Sequence, residues 1–191
     1  MKNRMIINTD RLMIVPMEMK YLKSTHEYAS DLENTKYMIN LPNETIDETK
    51  GFILYAEEEW RKEEPKFFEY AIIMDGIHVG AISLDPDKDD MSSAELGWTV
   101  NKKSWKKGIC TEAAKALIKN AIENKGINRF IAHCDSENLA SRAVMEKVGM
   151  VKIDEYGGRF NKQSTEERRE CLYEMIIKKE CIQCGVCVDK F

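Results

Sequence analysis

The chain has 191 residues, 43% hydrophobic and 32% charged, and its 29 Lys+Arg against 33 Asp+Glu leave a formal charge of −4. That length suits one domain, or one domain with a short appendage. The mild acidity argues against a nucleic-acid binder that works through its overall field, so no nucleic-acid partner is expected. A mean hydropathy of −0.48 and the lack of a long apolar run argue against a membrane span. The opening MKNRMIINTDRLMIV has no apolar segment of signal-peptide length before a small-residue cleavage site. The expectation is a cytoplasmic protein, monomer or homodimer.

In chain order, residues 11–17 (RLMIVPM) read as a strand, and Pro16 points to a sheet edge. Residues 18–30 and 47–62 read as helices. Residues 67–74 (FFEYAIIM) and 77–84 read as paired strands joined by a hairpin turn at Asp75-Gly76. Residues 85–90 (DPDKDD) are turn-rich, and 92–100 (SSAELGWTV) form a strand whose Gly97 suggests a bulge or a close backbone approach. The clearest helix is 111–124, with Leu117, Ile118 and Ile122 on its apolar face and Gly126 as a stop. A strand at 128–134, a helix at 138–148 ending at Gly149, and strands at 150–156 and 170–177 follow, with 157–169 as a polar loop. Hairpin strands followed by a strand–helix–strand crossover imply an α/β (α+β) fold: a mixed sheet with helices packed on it.

The segment 101–113 (NKKSWKKGICTEA) joins a strand to the N-terminus of the clearest helix, and Lys102, Lys103, Lys106 and Lys107 precede Gly108. A helix N-terminus offers unpaired amides and the positive end of the dipole, and glycine permits close approach of a ligand. Together they suit a phosphate or pyrophosphate. The bland alternative is a solvated basic loop. Neither a P-loop nor a G-x-G-x-x-G fingerprint is present.

These residues carry a resemblance. Trp105-Lys106-Lys107-Gly108-Ile109-Cys110, continued by Thr111-Glu112-Ala113, is similar to the acetyl-CoA loop of GNAT N-acetyltransferases, Gln/Arg-x-x-Gly-x-Gly/Ala. Lys106 stands where glycine is common, and Cys110 where glycine or alanine is usual. TDRLMIVPM, AELGWTV and SENLASRAVMEKVGM resemble further segments of the branch that acetylates ribosomal-protein N-termini (RimJ/RimL-like), in the same order. The resemblance spans residues 9–178. It implies a mostly antiparallel twisted sheet with helices on both faces and a splayed central strand, in a domain covering 1–179. It also implies acetyl-CoA as co-substrate and an amine acceptor. Amides of Lys106, Lys107, Gly108, Ile109, Cys110 and Thr111 would hold the CoA pyrophosphate, with Trp105 opening the loop. The backbone of Trp98, Thr99 and Val100 would meet the pantetheine arm, together with Asn138 and Ser141.

Acetyl transfer needs a neutral amine. At pH 7 a lysine-like amine, with a pKa near ~10.4, costs about 4.6 kcal/mol to deprotonate. By the resemblance Glu95, in AELGW, is the candidate base, with an exposed strand carboxylate as the alternative. Many family members carry a tyrosine on the second cofactor helix to protonate the thiolate, but Met145 occupies that position here. Ser141 is the substitute donor, and a central-strand amide near Thr99 or Val100 would stabilise the oxyanion. His26, His78 and His133 show no metal spacing. The acidic run 57–64 is either an attractor of cationic amines or a solvated helix face.

Six cysteines fall at 110, 134, 171, 181, 184 and 187. The first three read as small buried apolar residues, and no disulfide framework is expected in a reducing compartment. Cys181, Cys184 and Cys187, in a tail spanning 180–191, have the C-x₂-C-x₂-C spacing that opens a bacterial ferredoxin run. An Fe–S cluster or a zinc ion is one expectation, and a plain terminal tail is the other. The former would make the chain a CoA-binding module with a redox- or metal-sensing tail.

Overall fold

The computed structural model describes residues 6–178. Its strands form one eight-stranded sheet in the order β1-β2-β3-β4-β5-β6-β8-β7. The N-terminal half comprises β1 (Ile7–Asn8), β2 (Leu12–Pro16), α1 (Leu22–Ala29), α2 (Ile46–Glu59), β3 (Phe68–Met74), β4 (Ile77–Pro86) and β5 (Ser93–Val100). The C-terminal half comprises α3 (Ile109–Lys125), β6 (Arg129–Asp135), α4 (Leu139–Lys147), β7 (Val151–Arg159) and β8 (Arg168–Ile176). All pairings are antiparallel except β5 with β6.

Local chemistry sets the element ends. The β3–β4 turn has Asp75 at φ 52° and Gly76 at φ 76°, the positive pair that a tight hairpin demands. Helix α2 starts at the N-cap Thr45, whose Oγ1 accepts from the Glu48 amide at 3.3 Å, and the Glu48 carboxylate accepts from Glu44 N at 3.1 Å. The helix expected over 18–30 is a 3₁₀ turn at Met19–Tyr21 running into α1. The two-residue β1, missed in the sequence, covers only Met13 and Ile14 of β2, so Pro16 lies beyond it on the open side. The polar loop expected over 157–169 is shorter. Strand β7 runs on to Arg159, whose buried side chain pairs with Glu170 and whose Nη2 donates to Tyr37 O at 2.8 Å.

Alternation along the strands builds two cores. Phe68, Tyr70 and Ile72 of β3 join Leu117, Ile118 and Met145 on the α3–α4 face. Ala71 and Ile73 join Ile53 and Ala56 of α2 and Tyr28 of α1 on the other face. Helices therefore cover both faces, as the resemblance implied.

The central strand is splayed. β5 and β6 pair only at Ser93↔Arg129, Ala94↔Phe130 and Glu95↔Ile131, and beyond Glu95 they part. Of the two expectations for Gly97, a bulge or a close approach, the bulge is not there: β4 and β5 stay in continuous register, and the register shifts fall between Ile72 and Ile73 and within β7. The close approach is present, to a side chain rather than to backbone: a Cβ at Gly97 would meet Ser83 Oγ at 2.7 Å. Gly80 permits the closest approach, since a Cβ would lie 2.3 Å from Thr99 O. That contact holds β4 tight against the free end of β5.

Candidate active site

The gap between β5 and β6 opens a cavity of about 690 Å³. On one side of the sheet it reaches Asn138, Ser141 and Met145 of α4, and on the other it runs past Glu95 and Gly97 to Glu69 and Phe52 beneath the 37–43 segment. It therefore joins the two faces of the sheet where β5 and β6 have separated.

The N-terminus of α3 stands at the end of β5. Gly108 is its N-cap at φ 76°, with no side-chain cap on the first amides. A Cβ there would meet only Arg11 Nη2, at 3.6 Å, so the left-handed backbone rather than space demands glycine. The loop is braced from the turn between β1 and β2. Glu112 accepts from Thr9 Oγ1 at 2.5 Å and from Arg11 Nε at 2.7 Å, and Arg11 Nη2 donates to Lys107 O at 3.1 Å. This brace, about a hundred residues apart in sequence, was invisible there. It holds Glu112 away from the amides, leaving them to an anion.

Lys106 has φ 61°, also left-handed. Lys102 pairs with Asp31 and Glu33, and Lys103 with Glu27, so these two lysines tie the loop down rather than face an anion. Trp105 Nε1 donates to Val100 O at 2.7 Å, closing the loop onto the end of β5. Ile109 points into the core and contributes only backbone, and Cys110 packs against the same core. Burial pushes the Cys110 thiol up to about 12, in keeping with an inert apolar role.

Thr99 Oγ1 accepts from Asn34 Nδ2 at 3.4 Å, and the Trp98 side chain packs on the α3–α4 core. Asn138 caps α4, its Oδ1 accepting from Ser141 N at 3.1 Å. The Ser141 hydroxyl has no partner among the described residues, and the cavity-lining Met145 is 1% exposed.

Glu95 is half-buried and its Oε1 lies 2.8 Å from His133 Nδ1. Sequence reasoning missed His133, and only the register brings it in: Glu95 faces Ile131, and His133 is the next residue of β6 on that face. The hydrogen bond to Glu95 holds His133 above the usual histidine range, against burial, which lowers it. The other histidines are structural. His78 bonds Ser24 Oγ at 2.7 Å and Gly80 O at 2.8 Å, with burial pushing it down to about 4, and His26 bonds Thr49 Oγ1 at 2.9 Å.

The acidic run of α2 is neither solvated throughout nor aimed at the cavity. Glu57 accepts from Met19 N at 2.8 Å, and buried Glu59 accepts from Lys66 N at 2.8 Å and pairs with Lys62. Among the described residues no group of three His, Cys, Asp or Glu could hold a metal ion, and no helix is long and apolar enough to cross a membrane. Cys181, Cys184 and Cys187, and the boundary expected at 179/180, lie outside the described residues.

The acetyltransferase (GNAT) domain model matches residues 11–151. The chain belongs to the GNAT acetyltransferase family. The uncharacterised N-acetyltransferase YnaD of Bacillus subtilis is 29% identical over 148 residues, 76% of this chain and 82% of YnaD. A GNAT-family acetyltransferase structure from Bacillus anthracis superposes with a TM-score of 0.77 at 30% identity, covering 90% of this chain and 98% of the other. Mycobacterium smegmatis RimJ, solved with CoA-disulfide, shares the fold with a TM-score of 0.81 at 16% identity, covering 96% of each chain. The GNAT enzyme thus has the fold of the branch whose motifs its sequence resembles, and its class is N-acetyltransferase.

Proposed function

We propose that the chain moves an acetyl group from acetyl-CoA to a primary amine, with Glu95 and His133 as the base. The observation that carries this reading is the Glu95–His133 pair, 2.8 Å apart, facing the cavity at the point where β5 and β6 separate. The uncapped amides of Gly108, Ile109, Cys110 and Thr111 would take the pyrophosphate, with the charge of Lys106 and Lys107 nearby. The free edge of β5 at Trp98, Thr99 and Val100 would align the pantetheine, and Asn138 would meet it from α4. Trp105, bound to Val100 O, would shape this path rather than touch the ligand.

The acceptor arrives mostly as an ammonium. Glu95 attracts it, and its proton passes to the Glu95–His133 pair. The freed lone pair attacks the thioester carbonyl, forming C–N, and C–S breaks as the adduct collapses. An amide near Thr99 or Val100 holds the oxyanion. Ser141 donates to the departing sulfur, which needs little help because a thiol has a reference pKa near ~8.5. Isothermal titration with acetyl-CoA tests the cradle: saturable binding below ~0.1 mM is expected, since several backbone contacts act together. No heat at that concentration contradicts it.

A further inference from the structure

Three carboxylates sit on the cavity face of the sheet. Asp85 on β4 is directly opposite Glu95 on β5, and Glu69 on β3 is opposite Ser83, the neighbour of Asp85 on the same face. Like charges placed this way on adjacent strands destabilise a sheet. Glu95 has His133 Nδ1 as a hydrogen-bond partner. Asp85, exposed at the rim, is pushed up to about 6 by its surroundings and by Glu95, a push that water tempers. Glu69 is different. It lines the cavity, and neither an ion pair nor a hydrogen-bond donor meets its carboxylate among the described residues.

The contrast with other sequestered acids is sharp. Glu59 has Lys62 and the Lys66 amide. Asp135 has Arg168 at 2.9 Å and Asn161 at 2.6 Å, and Glu170 has Arg159. Each of those carboxylates is part of how the fold is held together. Glu69 alone among these is partly buried with no compensating partner for its carboxylate; burial pushes its carboxyl up to about 8, with Asp85 adding to the push. Its carboxylate makes no hydrogen bond or ion pair among the described residues, and a ligand cation would supply what is missing.

The cavity sets the size of that ligand. Glu69 and Glu95 are two strands apart and offset by two residues, which places their Cα atoms on the order of 12 Å apart. The cavity lining is mostly apolar, with Met38, Ile39, Leu41 and Phe52 on it beside the polar Asn40 and Asn43. The wall is also pinned: Lys162 Nζ donates to Pro42 O at 2.7 Å, and Lys162 N to Met38 O at 3.0 Å. A slender chain of methylenes with a charge at each end fits this shape better than a peptide backbone, whose amides would lie against a mostly apolar lining.

We infer that Glu69 is a specificity residue that binds a second ammonium on the acceptor, so that the acceptor class is a flexible linear di- or polyamine. One nitrogen sits at Glu69 and the other at Glu95–His133, where it is acetylated. The inference rests on the acetyl-transfer reading above.

Thiol release from acetyl-CoA, measured on the full chain with 1,8-diaminooctane, spermidine, n-octylamine and a short lysine-containing peptide, tests it. The diamine should exceed the monoamine in kcat/KM by at least about tenfold, the worth of one charge-assisted contact. Glu69→Gln should shrink that ratio to within about threefold, through KM rather than kcat. Direct titration of 1,8-diaminooctane into the wild type keeps the question open to test if the variant folds poorly. Equal use of diamine and monoamine, an unchanged ratio in the variant, or preference for the peptide would overturn the inference while leaving acetyl transfer standing. No turnover with any amine would overturn both.

Discussion

Lys106 spends backbone energy that a glycine would not. At φ 61° an L-residue costs roughly 1–2 kcal/mol, whereas glycine adopts this conformation freely. Lys106→Gly should therefore raise the unfolding free energy by up to about 1 kcal/mol, the rest being offset by glycine's larger chain entropy. Urea denaturation measures this, and a fall in stability would mean the lysine side chain holds the loop by a contact of its own. His133 gives a pH signature. Its folded pKa is raised by Glu95 above an unfolded value near ~6.5, so its stabilisation is full below that value and fades as pH rises through the folded pKa. The stability gap between wild type and His133→Gln should thus be widest below about pH 6.5 and shrink as pH rises above it. A gap independent of pH would uncouple the pair. Glu95 was legible because its residue type and motif position suit a base. His133 was not, because its role depends on a parallel register across 38 residues of chain.

At the scale of elements, hairpins and helices could be read from local chemistry, since Asp75-Gly76, Gly126 and Asn138 fix their own turns and caps. The splay could not be read from residues alone; it came from the family resemblance and is visible in a pairing that stops at Glu95. Gly97 drew attention as a bulge or a close approach, and what this strand glycine accommodates is the approach of a neighbour's side chain, Ser83 Oγ. Gly80 is the more consequential position. A methyl group there would press on Thr99 O and Val100 Cα, both backbone atoms. Gly80→Ala should cost about 1–3 kcal/mol as β4 and β5 separate, and should raise the KM for acetyl-CoA because the shifted edge is the one proposed to align pantetheine. Denaturation and steady-state kinetics on the same variant check both parts. Lost stability with an unmoved KM would separate that edge from CoA binding.

For the whole molecule, the order of hairpin strands and crossovers already implied a mixed sheet with helices packed on it. The two cores supply the physical reason: alternate residues of β3 serve different helix pairs, so the sheet is sandwiched rather than one-sided. Tertiary placement decides which polar residues stay uncommitted. Lys102, Lys103, Glu57 and Glu59 looked available in the sequence and are consumed by ion pairs or backbone amides. Glu69 attracted no attention in the sequence and is left without a partner among the described residues, inside the cleft. The proposed chemistry is deprotonation of an amine for acetyl transfer by the Glu95–His133 pair at the splay of the GNAT cleft. Its most direct test is thiol release from acetyl-CoA over a panel of primary amines, for wild type and Glu95→Gln, alongside titration of acetyl-CoA into both. The expected result is a kcat lower by ~10²–10⁴-fold in the variant, with acetyl-CoA affinity held within about twofold. A kcat within about threefold of wild type, with the pH profile unmoved, would contradict it.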